Sequence, residues 1–282
     1  MNVISLFNGM NTGRQALENV GIKVNKYYSS EIKPYAIELT QHHFPDTIQV
    51  GDVTKWKEWD IDWKSIDLVL SGSPCQDLSA AGKRAGINGK KSSLFFVFVD
   101  ILNHIKSLNP NVLFLQENVG SASKLDVGIM SRELGIYPVR INSKLVTAQL
   151  RDRYYWSNIR TKGTMFDLVT DIPQPKDKGI MIQNILVTGY TDKCKHVALK
   201  MQNNRNNQAS QQSLKHRNKT TGMITLIYEG DIVRTVNQVE MERLQGFPDG
   251  YTSILSKAKA GSLLGDGWTL PVIEHIFSFI NK

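Results

Sequence analysis

The residue with the clearest chemical potential in this sequence is a cysteine in a turn-forming segment. Residues 72–75 read Gly-Ser-Pro-Cys after an apolar run, and Lys83 and Arg84 follow soon afterwards. A thiol attacks carbon efficiently only as its thiolate, and nearby cations favour that form. Cys75 is therefore a candidate nucleophile, although a lone cysteine is more often a small buried apolar group.

Two acids indicate a nucleotide site near a glycine-containing turn. Gly9 and Gly13 follow the first apolar run, and Glu31 comes roughly 20 residues later, where an acid can bond ribose hydroxyls. Asp52 follows the third apolar run and can accept a hydrogen bond from an adenine amino group. Taken singly, each acid is at least as readily a helix N-cap or a surface acid.

Two arginines lie two residues apart in a segment that resembles a strand. Alternate residues of a strand point to the same side, so Arg151 and Arg153 are expected to do so. Without further evidence they are equally well explained as solvated arginines on an exposed strand.

The elements that must position these residues alternate between strand and helix. Apolar runs predict strands at 3–7, 24–30, 47–50, 66–70 and 112–115, with helices after Gly13, from Pro34, and from Leu94 to Ile105. A helical pattern returns from Val233, with Val239, Leu244 and Phe247 in phase, and a last helix is expected at 272–280. This alternation predicts an α/β fold with a doubly wound, mostly parallel sheet, whose ligand sites lie beyond the carboxyl ends of the strands.

Composition limits the class of protein. The 282 residues suit one large domain and a small lobe, and two cysteines are too few for a disulfide framework. The net charge is +8, of which residues 193–228 supply seven Lys or Arg and no acid. No run approaches the roughly 18 apolar residues of a membrane span, so we expect a cytoplasmic protein without a membrane partner.

The motifs together resemble those of the DNA cytosine-5 methyltransferases. Residues 72–76, Gly-Ser-Pro-Cys-Gln, are similar to the family's nucleophile block, and its other blocks follow in the same order. They resemble the segments 7–13, 117–119, 149–153, 234–248 and 265–269. The resemblance covers about residues 1–158 and 233–282. Asn11-Thr12 replace two glycines that are common in bacterial members, as in the vertebrate de novo subclass, and Asp266 stands where Asn is usual, which bears on cofactor affinity.

The resemblance implies a Rossmann-like class I methyltransferase fold and a division of the chain into two functional regions. A catalytic domain, 1–159 plus 233–282, would bind S-adenosylmethionine and release S-adenosylhomocysteine without a metal. A loop-rich target-recognition lobe, 160–232, would read double-stranded DNA. In the implied reaction Cys75 adds to a flipped-out cytosine. Glu117 bonds the ring nitrogen and amine, while Arg151 and Arg153 hold the base's carbonyl oxygen and support Glu117 or Cys75.

Binding residues are also implied by the resemblance. Those expected to contact the cofactor are Phe7, Gly9, Met10, Asn11, Thr12, Glu31, Ile32, Asp52, Val53, Pro74, Leu94, Asp266 and Trp268. Those expected to contact DNA are Lys83, Arg84, Arg205 and Arg234. Phe7 and Trp268 are equally consistent with simple core packing.

Three readings of function remain open at this point. The substrate is DNA, or it is transfer RNA as for one relative of the family, or the chain is a DNA-binding regulator that has kept the fold. If the chain belongs to a restriction-modification pair, a cognate restriction endonuclease acts on the same site. Phage and solitary roles are the alternatives.

Overall fold

A seven-stranded sheet forms the centre of the computed structural model, which describes residues 1–74, 94–165, 167–191 and 226–280. Its strands are β1 (Asn2–Leu6), β2 (Lys26–Ser30), β3 (Ile48–Gln49), β4 (Leu68–Ser71), β5 (Leu113–Val119), β6 (Val139–Asn142) and β7 (Asp152–Ser157). The order across the sheet is β3-β2-β1-β4-β5-β7-β6. The neighbours from β3 to β5 are parallel and β7 runs antiparallel to β5. The predicted fold class, a doubly wound and mostly parallel sheet, is confirmed.

Helices and two small hairpins complete the described part of the chain. The helices are α1 (Thr12–Asn19), α2 (Pro34–His43), α3 (Leu94–Leu108), α4 (Lys124–Leu134), α5 (Ile182–Ile185), α6 (Gln238–Gln245), α7 (Lys257–Asp266) and α8 (Leu270–Phe277). The hairpins pair β8 (Thr161–Gly163) with β9 (Leu168–Thr170) and β10 (Ile227–Glu229) with β11 (Ile232–Arg234). Within these residues no helix is both long and apolar enough to cross a bilayer.

Both faces of the sheet are covered by helices. Ile4 and Val69 share a core with Phe98 and Ile101 of α3, which places α3 on one face. On the other face α1 approaches β4 at Gly13, where a Cβ atom would lie 2.4 Å from Leu70 Cδ1. Only glycine permits that approach without displacing the leucine. Burial on both faces explains why adjacent residues such as Val3 and Ile4 of β1 and Leu68 to Leu70 of β4 are apolar.

Several predicted boundaries were wrong. β5 does not end at Leu115 but continues through Glu117 to Val119, because β7 pairs with it along these polar residues. Val233 lies in β11, so the helix predicted from that point begins only at Gln238. Phe247 follows that helix, and the last helix is Leu270–Phe277. Polar residues in a strand and apolar residues in a hairpin both obscure the local pattern.

The chain divides into two compact units. Unit 1 consists of Met1–Ile141, Asp152–Gln174 and Val272–Lys282, and unit 2 of Asn142–Arg151 and Pro175–Pro271. These limits differ from the predicted lobe at 160–232, since β8 and β9 belong to unit 1, while the segment 142–151 and the helices α6 and α7 belong to unit 2. The functional division into catalytic domain and recognition lobe stays a prediction.

Candidate active site

The turn between β1 and α1 has an unusual backbone. Phe7, Gly9 and Asn11 have positive φ angles of 57°, 60° and 63°. Asparagine tolerates this left-handed region better than most residues. This explains how Asn11 can occupy a position that is commonly glycine in the motif that this turn resembles. A bulky residue such as Phe7 is strained there, and such strain is concentrated at ligand sites.

Glu31 ties this turn to the end of β2. Its Oε2 accepts a hydrogen bond from the Gly9 amide at 2.8 Å, and its Oε1 accepts from the amides of Ile32 at 2.8 Å and Lys33 at 2.9 Å. These bonds fix the orientation of the carboxylate. A carboxylate has about four acceptor positions, so this group retains capacity for a ligand's hydroxyl. The Ile32 side chain is exposed.

Asp52 caps the short 3-10 helix Val53–Glu58 that follows β3. Its Oδ1 accepts from the backbone amide and the hydroxyl of Thr54, both at 2.9 Å. The Thr54 bonds, the backbone bond above all, hold the pKa of Asp52 below its usual value. The acid is thus an N-cap, one of the roles left open by the sequence, and it stays ionised at neutral pH as an acceptor. Val53 is buried in the core beside it.

The Asn11 side chain is buried without the bonds that an amide needs. It lies at the N-cap of α1, and neither Nδ2 nor Oδ1 has a hydrogen-bond partner among the described residues. Burying unbonded polar atoms costs about 1–3 kcal/mol per group, so a ligand that supplied partners would be favoured here. Met10 and Thr12, the flanking residues, are also buried.

Glu117 and Arg153 form an ion pair at the carboxyl end of β5. Arg153 Nε lies 2.7 Å from Glu117 Oε1, with 18% and 10% of the two side chains exposed. The antiparallel register of β5 and β7 places Arg153 opposite Val119, two residues beyond Glu117, and Arg153 Nη1 also donates to the Asp152 carbonyl at 2.8 Å. The guanidinium therefore orients a carboxylate that a ligand can still reach.

Arg151 binds the backbone at the end of α7. Its guanidinium donates to the backbone carbonyls of Gly265 at 2.9 Å, Asp266 at 3.3 Å and Gly267 at 2.7 Å, where α7 ends. Helix C-termini leave such carbonyls without partners, so a cation is well placed there. The described bonds make Arg151 a support for the segment that carries Asp266 and Trp268. Its expected role beside the base, Glu117 or Cys75 stays a prediction.

Arg234 lies in a polar network of unit 2. Its guanidinium bonds both carboxylate oxygens of Glu240, at 2.7 and 2.8 Å, and also Glu229 at 2.8 Å and the Thr188 carbonyl at 2.7 Å. The Glu240 bonds raise the pKa of Arg234. These contacts are those of a structural residue, and the DNA contact expected of Arg234 stays a prediction.

The remaining expected residues are divided between the described chain and its gaps. Pro74 is the last described residue before the gap at 75–93, and Leu94 begins α3 and packs against the core. Cys75, Lys83, Arg84 and Arg205 lie outside the described residues. In the part of the chain that the structure describes, no three His, Cys, Asp or Glu side chains come together as a metal site.

Two polar groups of the site were not singled out from the sequence. Gln116, fully buried in β5, donates from Nε2 to Ser73 Oγ at 2.9 Å and to the Glu117 carbonyl at 2.7 Å. The available signal was a glutamine directly after the apolar run 112–115, since a buried amide is normally there for its hydrogen bonds.

Comparison with known proteins identifies the family. The family model described as C-5 cytosine-specific DNA methylase matches residues 1–162 and 147–282, which together span the chain. The chain belongs to the C-5 cytosine-specific DNA methylase family. This membership confirms the resemblance seen in the sequence motifs, and it agrees with the mostly parallel sheet described above.

Individual relatives of this methylase differ in how much they share with it. Type II methyltransferase M.NlaIV of Neisseria lactamica is 37% identical over 120 residues, which are 41% of this chain and 27% of that protein. The chain thus matches only about a quarter of that relative's length. Type II methyltransferase M1.ScrFI of Lactococcus lactis subsp. cremoris is 28% identical over 97% of this chain and 76% of its own length.

A solved structure shares the fold. The Entamoeba histolytica methyltransferase EhMeth superposes with a TM-score of 0.68 at 17% identity, covering 99% of this chain and 97% of its own. At that identity the likeness concerns the fold alone. The sheet of this methylase is therefore arranged as in a known methyltransferase.

Proposed function

We propose that this methylase transfers the methyl group of S-adenosylmethionine to carbon 5 of a cytosine flipped out of duplex DNA. The observation that carries the proposal is the Arg153-held carboxylate of Glu117 at the carboxyl edge of the sheet. Gln116 joins the backbone of Glu117 to Ser73, two residues before Cys75. Family membership supports the reaction class, and this arrangement supports the role proposed for Glu117.

The residues around the first turn fit the cofactor. Glu31 offers acceptor capacity for ribose hydroxyls, and Asp52 is an ionised acceptor for an amino group. The unbonded amide of Asn11 is a polar group that a ligand would satisfy. When bound, S-adenosylmethionine supplies an electrophilic methyl group. Asp266 and Trp268 are proposed as further cofactor contacts, and Arg151 binds the backbone carbonyls of Gly265 and Gly267 beside them.

The protein's own groups would activate the cytosine ring. Carbon 5 is a poor nucleophile until a group adds at carbon 6. The Cys75 thiolate forms a sulfur–carbon 6 bond, and the electron pair of the 5,6 double bond moves to carbon 5. Glu117, oriented by Arg153, shares a proton with the ring nitrogen and so stabilises the ring as it gains electron density.

Product formation restores the thiolate. S-adenosylmethionine, held by residues such as Glu31 and Asp52, would supply the methyl group that carbon 5 accepts, and the electron pair of the broken sulfur–methyl bond would stay with S-adenosylhomocysteine. A base then removes the carbon 5 proton, the 5,6 double bond re-forms, and sulfur leaves carbon 6 as thiolate. Atoms and charge balance over the cycle, because one methyl enters and one proton departs.

DNA is the proposed substrate, and the basic segment 193–228 is its proposed contact. The segment's seven cations suit phosphate contacts, which supply most sequence-independent affinity. Extruding the base costs a few kcal/mol, which such contacts offset. A restriction endonuclease of the same specificity is the partner proposed if the enzyme protects its host's DNA.

Trapping the covalent adduct tests this proposal directly. Duplex DNA with 5-fluorocytosine in place of cytosine cannot lose a proton from carbon 5, so the adduct should persist. We expect mass spectrometry to find the base on Cys75, and we expect Cys75→Ala to lose methyl transfer while it still binds S-adenosylmethionine. A base trapped on another residue, or a label that enters RNA but not DNA, would contradict the proposal.

A further inference from the structure

Gln116 is an amide in the interior of a sheet. In the register it lies opposite Ser71 of β4 and Trp156 of β7, and all three residues are fully buried. A buried amide costs free energy unless its atoms are hydrogen-bonded, and an apolar side chain would pack here without that cost. The glutamine is therefore best explained by its bonds rather than by packing.

The hydrogen bonds fix which way the amide faces. One partner of Gln116 is the Glu117 carbonyl, at 2.7 Å, and a carbonyl can only accept. The atom facing it must be Nε2, whose second hydrogen goes to Ser73 Oγ at 2.9 Å. Both amide hydrogens are then used. One side chain thus joins the backbone at Glu117 to the segment 72–74 that leads directly into Cys75 in the sequence.

The third polar atom of this amide decides how a substitution of Gln116 should affect stability. Oε1 of Gln116 is buried and has no hydrogen-bond partner within the described ranges. Replacing the glutamine by methionine, which is similar in size and flexible, loses two donors but also removes this unbonded acceptor. The two effects on the free energy of unfolding oppose each other. A large effect of that change on the reaction would therefore not be explained by lost stability.

We propose that Gln116 is a positioning residue for methyl transfer, which holds the Ser73–Pro74 segment in register with Glu117. This inference rests on the proposed function, because it assigns the two ends of the bridge to the nucleophile's segment and to the acid that binds the base. Small displacements of reacting groups can cost up to about 100-fold in rate. Substrate and cofactor affinities do not depend on that register in the same way.

Steady-state kinetics of the full chain test the bridge. For Gln116→Met and Ser73→Ala we expect kcat to fall between about 10-fold and 100-fold, with KM for S-adenosylmethionine and DNA within about twofold. Because both changes break one bridge, the double variant should be no slower than Gln116→Met. Ile105→Val is the matched control, since it trims a buried residue of α3 at a modest stability cost and should keep its kcat.

Thiol labelling gives a second readout that needs no methyl transfer. The chain has two cysteines, so N-ethylmaleimide labelling of Cys75 can be compared with that of Cys194 by peptide mass spectrometry. Gln116→Met should change the Cys75 rate several-fold and leave Cys194 unchanged. An unchanged Cys75 rate, a kcat like that of Ile105→Val, or additive effects in the double variant would overturn the proposal. If the wild type transfers no methyl to DNA, the proposed function fails, while labelling still decides the role of Gln116.

Discussion

Two buried glutamate–arginine pairs, one in each unit, differ in how accessible the glutamate carboxylate remains to a ligand. In unit 2 the Glu240 side chain has no exposed surface, and it accepts from Arg234 twice and from the amides of Val187 and Asn237. In unit 1, Glu117 is held by Arg153 and keeps about 10% of its side chain exposed. The same type of ion pair thus holds a glutamate whose acceptor positions are all used by the protein in unit 2, and an accessible carboxylate in unit 1.

The difference indicates how each pair should respond to mutation. A carboxylate whose acceptor positions are all used by the protein contributes to stability but has none left for a ligand. A carboxylate that is oriented but reachable contributes to chemistry at little gain in stability. Substitutions in the two pairs should therefore separate activity from folding.

Glu117→Gln should produce the largest effect on activity. The amide oxygen can still accept from Arg153, so the free energy of unfolding should change by less than about 1.5 kcal/mol. Loss of the ionisable group should lower kcat by about 100-fold to 10,000-fold, the range typical of a lost acid–base group. Labelled methyl transfer to duplex DNA and urea unfolding measure the two quantities. A variant with normal kcat would remove Glu117 from the mechanism.

Arg234→Met should have the largest effect on stability. It leaves Glu240 buried without its cation, and breaking a buried pair in this way costs about 3–5 kcal/mol. Urea unfolding should show this loss, and the double change Arg234→Met with Glu240→Gln should recover part of it because no buried charge remains. If the single variant lost only the affinity for DNA and none of the stability, Arg234 would instead be a nucleic-acid contact, as the family resemblance suggests.

Substitution in a third, exposed ion pair should have the smallest effect on the free energy of unfolding. Arg243 contacts Asp249 at 2.6 Å with 33% and 53% of the side chains exposed, and its hydrogen bond lowers the pKa of Asp249. Solvent screening limits the contribution at neutral pH to about 0.5 kcal/mol. Because the folded pKa is the lower one, this contribution is present above about pH 4 and is lost as the pH falls through the folded pKa. Asp249→Asn should therefore be less stable than wild type at pH 7 but not at pH 2; a constant difference would contradict this.

The sheet and the positions of two acids beside the turn after β1 could be predicted from the sequence for identifiable reasons. Apolar runs of the right length predicted the parallel strands, and the positions of Glu31 and Asp52 after such runs predicted that both acids follow the carboxyl ends of strands. The positive φ of Asn11 agrees with the presence of asparagine where the motif usually has glycine.

What the sequence did not predict depends on contacts between distant segments. One of the two arginines was expected to support Glu117, and Arg153 on the adjacent strand forms an ion pair with it. The carbonyls that Arg151 binds lie more than 100 residues away and were not expected. The bridge from Gln116 to Ser73 joins residues 43 positions apart. Periodicity reports only which residues are buried, so such partners appear only once the chain is folded.

The division of the chain into units has a consequence for the exchange of segments between related genes. Unit 2 consists of two separate stretches, Asn142–Arg151 and Pro175–Pro271, which alternate along the sequence with three stretches of unit 1. A single recombination crossover between two related genes would always give a hybrid version of at least one unit. Transplanting unit 2 intact needs four junctions, one at each end of its two stretches. In a chimera that takes only the longer stretch from a relative, Arg151 and the α7 carbonyls that it binds would come from different parent proteins.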